Sequence, residues 1–203
     1  MENLKKIFEF LHLAGRLKEV ERYNQKKNGQ KESVADHCWR LSLMAFLLAE
    51  EIGLNINLFR AVKIAIVHDI TESLTGDIDA ILVMEGKVSK EEKRGLEESA
   101  IEEIKNILPS EAGEEICGLW TEYEACQTEE AKFIKALDKL ETLTHLCESG
   151  HNTYDKPELI PNYADEAVKN FPNLSPALQE IKSELKEEFK KGGVEWKEAY
   201  DKI

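Results

Sequence analysis

Apolar residues recur every three to four positions along nearly the whole chain, and no stretch sustains the every-second-residue alternation of a half-buried strand. The pattern predicts a helix over residues 4–13, with Leu4, Ile7, Phe8 and Leu11 on one face. A polar, cation-rich stretch from Arg22 to Lys31, interrupted by Gly29, reads as a loop. Ser33 followed by Asp36 is a capping box, and the helix it opens carries His37, Leu41, Met44, Leu48 and Ile52 on one stripe until Gly53 ends it. Residues 58–74 are apolar on most of their circumference, which predicts a central helix broken by Thr75, Gly76 and Asp77. Ser89 and Glu92 form a second capping box, ahead of a stripe of Leu96, Ala100, Ile104 and Leu108 that Pro109 stops. A short helix follows at residues 114–123. Thr128 then caps a long helix reaching about Cys147, with Ala131, Ile134, Asp138, Thr142 and His145 in register. Residues 150–172 read as a long loop with at most a helical turn. Ser175 and Pro176 open the last helix, with Leu178, Ile181, Leu185 and Phe189 inward and Gly192 and Gly193 as its stop. The fold class is all-α, with no internal repeat and no second composition regime.

Length and composition narrow the function classes. A chain of 203 residues can bury one full core, and its 42% apolar and 33% charged residues fit a globular protein. The formal charge of −13 sets the surface against nucleic-acid backbones and anionic membranes, while leaving room for a small phosphate ligand if cations gather in one cleft. The four cysteines are far apart and form no Cys-x-x-Cys pair, which argues against structural zinc or a disulfide framework. No run approaches the ~18 apolar residues of a membrane span, and a cytoplasmic location is expected.

The candidate chemistry begins at His68 and Asp69, side by side within the apolar central helix. Burying such groups unpaired costs several kcal/mol per ion, and a divalent cation removes that cost. His37 and Asp138 each replace a hydrophobic residue on an inward stripe, so the four side chains form a charge-neutral N/O set around a dication. Such a set suits manganese, cobalt or a similar transition metal and leaves positions for water and a phosphoryl oxygen. Glu72 lies one helical turn from His68 and can point into the same cavity. His12, His145 and His151 have no evident partners and read as structural, Glu122 and Glu124 read as packing or hydrogen-bonding residues, and the charges of residues 90–103 read as a solvated helix face.

The order His…His-Asp…Asp, in Ala35-Asp36-His37, Val67-His68-Asp69 and Ala136-Leu137-Asp138, resembles the HD-domain phosphohydrolase superfamily. More narrowly, residues 32–37 and the run His68-Asp69-Ile70-Thr71-Glu72-Ser73-Leu74-Thr75-Gly76-Asp77-Ile78 look like the HD-domain 5′-deoxynucleotidases, and residues 119–124 with 131–133 are similar to their eukaryotic branch. The resemblance spans about residues 1–150. It implies a single HD domain over residues 1–203, with a core at about 30–150 and a C-terminal helix at about 175–191. It further implies metal ligation by His37, His68, Asp69 and Asp138, and a catalytic role for Glu72 and Asp69. Asp77 would contact the sugar or a second ion, and Glu72, Asp77 and the backbone of Ile78 would form a second cation site that could take magnesium. Arg22 lies where the family places an arginine on the 5′-phosphate, and Tyr23 stands in the place of a tryptophan beside deoxyribose. A homodimer is implied as well.

The expected activity is metal-dependent hydrolysis of nucleoside 5′-monophosphates, with Asp69, Glu72 and Asp77 sharing the acid and base roles in a division that spacing leaves open. The rival readings are hydrolysis of a cyclic nucleotide or a nucleoside triphosphate, a metal-stabilised binding protein without turnover, and a helical interaction module with no metal.

Overall fold

The computed structural model describes residues 1–78 and 88–202. Nine α-helices and a two-stranded hairpin are described: α1 Glu2–Ala14, β1 Glu21–Gln25, β2 Lys31–Ser33, α2 Val34–Glu51, α3 Leu58–Val67, α4 Glu72–Thr75, α5 Lys90–Ile107, α6 Ser110–Ala125, α7 Glu129–Ser149, α8 Asp165–Lys169 and α9 Ser175–Lys191. Both capping boxes form: the Ser33 and Ser89 hydroxyls accept from the Asp36 and Glu92 amides, and each carboxylate reaches back to its cap amide. Thr128 caps α7 by accepting from the Ala131 amide.

Helix α7 is the axis of the molecule and packs against α2, α3, α6 and α9. Its apolar positions, among them Phe133, Ile134, Leu137, Leu140 and Leu143, are fully buried. Along it also runs a buried polar stripe of Asp138, Glu141, Thr142, His145 and Ser149, spaced by three and four residues. Such a stripe at the centre of a core demands partners, and α2, α3 and the hairpin supply them.

The structure departs from the sequence expectations in six places. The stretch from Arg22 to Lys31 is an antiparallel hairpin with an irregular register: Glu21 pairs with Ser33 and Gln25 with Lys31, so four steps on β1 answer two on β2. Hydrophobic alternation could not reveal it, because the inward residue of β2 is a carboxylate, Glu32, only 2% exposed. The irregularity also lets the consecutive residues Arg22 to Gln25 line one cavity, which a regular strand would split between two faces.

The central helix is interrupted. After α3 ends at Val67, the bonds from Ile70 to Val67, Glu72 to Asp69 and Leu74 to Thr71 span three residues. This tighter winding brings residues three apart into line, so Asp69 and Glu72 lie one above the other. Gly76, at φ 72°, ends α4 with a backbone turn that costs a side-chain-bearing residue energy.

The third difference is α6, which starts at Ser110 directly after Pro109 and so exceeds the short helix expected. It crosses α5 so closely that a Cβ on Gly113 would lie 2.5 Å from the Lys105 carbonyl. On α5 itself Leu96 is exposed, and the inward positions are Ala100, Ile101 and Ile104. Residues 150–172 contain short 3₁₀ turns and α8, held to the core by Ile160, Ala164, Val168 and Phe171. Finally, the predicted inward face of α1 is not inward: Leu4, Phe8 and Leu11 are all exposed.

Candidate metal centre

Three elements bring the predicted ligands together. His37 comes from the first turn of α2, His68 and Asp69 from the turn after α3, and Asp138 from the middle of α7. The Nε2 of His37 lies 3.3 Å from Nε2 of His68, 3.3 Å from Oδ1 of Asp138 and 3.9 Å from Oδ2 of Asp69. Asp69 Oδ2 is 3.1 Å from His68 Nε2. Donor atoms at these separations suit ligands sharing one ion at bond lengths of about 2.0–2.2 Å. His37, His68 and Asp69 each offer an atom within 4.8 Å of the others, and Asp138 joins them through His37.

The outer contacts aim each ligand. His68 Nδ1 donates to the Ala65 carbonyl at 3.0 Å, and His37 Nδ1 donates to Glu141 Oε2. With an ion bound, both imidazoles would carry their proton on Nδ1 and turn a lone pair on Nε2 inward, the arrangement metal-binding histidines adopt. Asp138 Oδ2 accepts from Tyr123 Oη and Lys139 Nζ, both at 3.0 Å, leaving Oδ1 for the centre. The electrostatics agree. Burial works against charging His68 and the Asp69 carboxyl, but each stabilises the other's ion enough to raise the imidazole and lower the acid. Burial likewise opposes ionisation of Asp138, yet Lys139 and His37 hold it well below the carboxylate range. A field that retains a proton on a buried imidazole also attracts a cation. The residues present therefore fit a divalent ion.

Glu72 behaves oppositely. Burial, then the charges of Asp69 and Asp77, push its carboxyl up to about 10, so it is protonated at neutral pH. Its Oε2 is buried and makes no hydrogen bond among the described residues. A buried oxygen without a partner is rare in proteins and marks a place where a ligand can supply one. The Ile78 carbonyl accepts from Lys93 Nζ at 3.2 Å.

The cluster opens into a cavity of about 870 Å³. Asp69, Glu72, Asp77 and Asp138 line it together with Arg22, Tyr23, Lys93 and Lys139. Residues of the 152–166 segment, including Tyr154, Asn162 and Tyr163, also line it. Arg22 is thereby removed from the solvated lysines around it. Its Nη1 bonds Glu32 at 3.1 Å and Glu141 at 3.4 Å, and its Nη2 bonds Thr142 at 3.3 Å. Tyr23 faces the cavity with Lys31 Nζ 5.3 Å from its ring centre.

Sequence reasoning overlooked Glu32, Arg40, Tyr123, Lys139 and Glu141. One signal was available for Glu141: it lies three residues after Asp138, on the same face of an apolar helix. Glu32 and Tyr123 carried no such signal, because their partners lie elsewhere in the chain. His145, expected to be structural, joins this network through Glu32 at 3.0 Å and the Gln25 carbonyl at 3.1 Å. Glu32, His37 and Glu141 also form a compact ligand-like group, but Arg22 and Arg40 already neutralise its carboxylates. Glu122 pairs with Arg60 and accepts from Thr128, and Glu124 pairs with Lys135, as expected of packing residues.

Comparison with known proteins agrees with this geometry. The HD domain family model matches residues 14–182. The 5′-deoxynucleotidase HDDC2 of Mus musculus is 34% identical over 184 residues, covering 90% of this chain and 87% of its own. That of Bos taurus is 35% identical, covering 90% and 85%. A crystal structure from Magnetospirillum magnetotacticum MS-1, described as a predicted metal-dependent phosphohydrolase, superposes with a TM-score of 0.77 at 26% identity, covering 96% of this chain and 99% of that one. With the family model spanning most of its length and its four ligand positions converging, the chain belongs to the HD-domain family.

Proposed function

We propose that the protein is a metal-dependent 5′-nucleotidase that hydrolyses nucleoside 5′-monophosphates, the deoxyribonucleotides foremost, to nucleoside and phosphate. The observation carrying this reading is the juxtaposition of a four-residue candidate ligand cluster, which reaches the cavity through Asp69 and Asp138, with the buried Glu72 carboxyl and the half-buried Arg22 that line the same cavity. The cavity volume of about 870 Å³ lies within the usual small-molecule range of about 300–1,000 Å³. The HDDC2 proteins of mouse and cattle, similar over nine-tenths of this chain, carry the name 5′-deoxynucleotidase.

His37, His68, Asp69 and Asp138 would hold a divalent cation, manganese or cobalt by their mixed N/O chemistry. When bound, such an ion polarises a phosphoryl oxygen and makes nearby water more acidic. Arg22 presents Nη2, which bonds Thr142 among the described residues, to the dianionic phosphate. Tyr23 packs against the sugar, and Asp77 accepts from its hydroxyl. Asp69, kept ionised by His68, takes the proton of the attacking water. Glu72, protonated, gives its proton to the departing 5′-oxygen. One P–O ester bond breaks, one P–O bond to the water oxygen forms, and the two carboxyl groups exchange protonation states. A second cation, such as magnesium, would be held by Asp77, the Ile78 carbonyl and Glu72 only once Glu72 has given up its proton, and it would compete with Lys93 for that carbonyl.

The test is phosphate release from deoxy- and ribonucleoside monophosphates, a cyclic nucleotide and a nucleoside triphosphate, across manganese, cobalt, magnesium and zinc. Release of phosphate from the monophosphates is expected; cleavage of the cyclic or triphosphate substrates alone overturns the reading.

Three further features belong to this proposal. We read residues 1–203 as one HD domain, supported by a single cluster of buried apolar residues, among those described, with members from Leu17 to Phe189. It acts in the cytoplasm, where its substrates are found, and no helix among the described residues is long and apolar enough to cross a membrane. Adjacent helices α2 and α3 expose Trp39, Leu43, Phe46, Leu47, Phe59 and Ile66, the kind of apolar surface that marks an interface. A second copy is the proposed occupant. Sedimentation should therefore give twice the chain mass, falling to the chain mass in a Phe46→Glu, Leu47→Glu variant.

A further inference from the structure

Among the groups not used so far, one carboxylate touches both halves of the candidate site. Glu141 is fully buried on α7, one turn beyond Asp138. Its Oε2 accepts from His37 Nδ1 and lies 3.4 Å from Arg22 Nη1. Its Oε1 accepts from Arg40 Nε at 2.7 Å and Nη2 at 2.6 Å. Arg40 is itself fixed from outside by Glu148, and its Nη2 reaches Glu32 at 3.4 Å. The carboxylate is therefore anchored on one oxygen by a two-pronged guanidinium and presents the other to the imidazole.

We infer that Glu141 is a positioning residue that fixes the tautomer and direction of His37, so that the affinity of the centre for its metal depends on it. This rests on reading His37 as a ligand. Among the described residues, Glu141 is the hydrogen-bond partner of His37 Nδ1, whereas Arg22 keeps Glu32 and Thr142 when Glu141 is lost. The consequence is asymmetric: losing the Glu141 charge should strike metal binding first and phosphate binding second. A carboxylate on the far nitrogen holds the near lone pair inward and makes it more basic, and removing such a partner typically weakens metal binding by about 10- to 100-fold.

The experiment measures manganese and cobalt dissociation constants by competition with a chromophoric chelator, for the full chain and for Glu141→Gln. It also follows the His37 Nδ1 proton by NMR in the proteins loaded with diamagnetic zinc, and the melting temperature of the metal-free forms. The expected result is a loss of affinity of about 10-fold or more, with an upfield move of the His37 proton as its charged acceptor disappears. Should Glu141→Gln fail to fold, Glu141→Asp, which keeps the charge but withdraws it by one methylene, is read in the same way. An unchanged metal constant in a folded variant, with only the melting temperature lowered, means that Glu141 merely balances arginine charge and overturns the inference. Absence of metal binding by the unsubstituted chain is a different result, and it overturns the proposed function instead.

Discussion

Replacing His68 with alanine, or Asp138 with asparagine, should remove metal binding and phosphate release together. His68 sits where the donor set converges, 3.3 Å from His37 Nε2 and 3.1 Å from Asp69 Oδ2. Its loss leaves Asp69 with only the more distant His37 imidazole, at 3.9 Å, to balance it and opens a gap against the ring of Tyr123, whose centre lies 5.0 Å away. In Asp138→Asn the Tyr123 hydroxyl and Lys139 lose a charged acceptor, and the dication loses one of two anionic ligands. Lewis-acid stabilisation of the transition state is worth several kcal/mol. At 1.36 kcal/mol per tenfold, that corresponds to a fall of about 10³-fold or more in kcat/KM. Elemental analysis of each variant, purified in parallel with the unsubstituted chain, reads the metal directly. Full activity in a variant that binds no metal would refute the mechanism.

Glu72→Gln should separate chemistry from metal binding. The side chain lines the cavity beside Asp69, but its carboxyl is neutral near pH 7, so it adds little charge to the ligand set. Glutamine keeps the shape and loses the transferable proton. Metal content should stay at the level of the unsubstituted chain, while kcat falls by about 10²–10⁴, the usual contribution of a general acid. The pH profile supplies the sign. The acid form is present below the folded pKa of about 10 and is lost as pH rises through it, so an alkaline limb is expected. A nearby dication favours the ionised carboxylate and draws that limb to lower pH. In Glu72→Gln the limb should vanish. Retention of both full kcat and the limb would show that the leaving oxygen takes its proton from elsewhere.

The helical character of the chain and its four candidate ligand positions could be read from the sequence because each depends on local pattern. Apolar spacing marks helices, capping boxes mark their starts, and an ionisable residue on an apolar stripe stands out without knowledge of its partner. His37, Asp138 and the His68–Asp69 pair are of this kind. The hairpin was not legible, because its inward residues are Arg22 and Glu32, which pair with each other and with α7 instead of packing as hydrophobes. The tightened turn after Val67 was hidden for another reason: residues 58–74 have a helical pattern throughout, and only backbone bonding distinguishes a three-residue from a four-residue turn.

What the sequence determined by itself is which residues are out of place in a helical core, and hence which chemistry the core must satisfy. What only the tertiary structure decided is how that chemistry is shared. The same residue type, a buried carboxyl, becomes a ligand candidate at Asp138, an anchor at Glu141 and a proton store at Glu72. The difference lies in whether an imidazole, two guanidinium groups, or burial and two acids that outweigh Lys93 and His68 act on it. Those neighbours come from α2, the hairpin and the turn before α4, far apart along the chain. Ionisation in a low-dielectric interior follows distance through space, and no periodicity along the backbone encodes that.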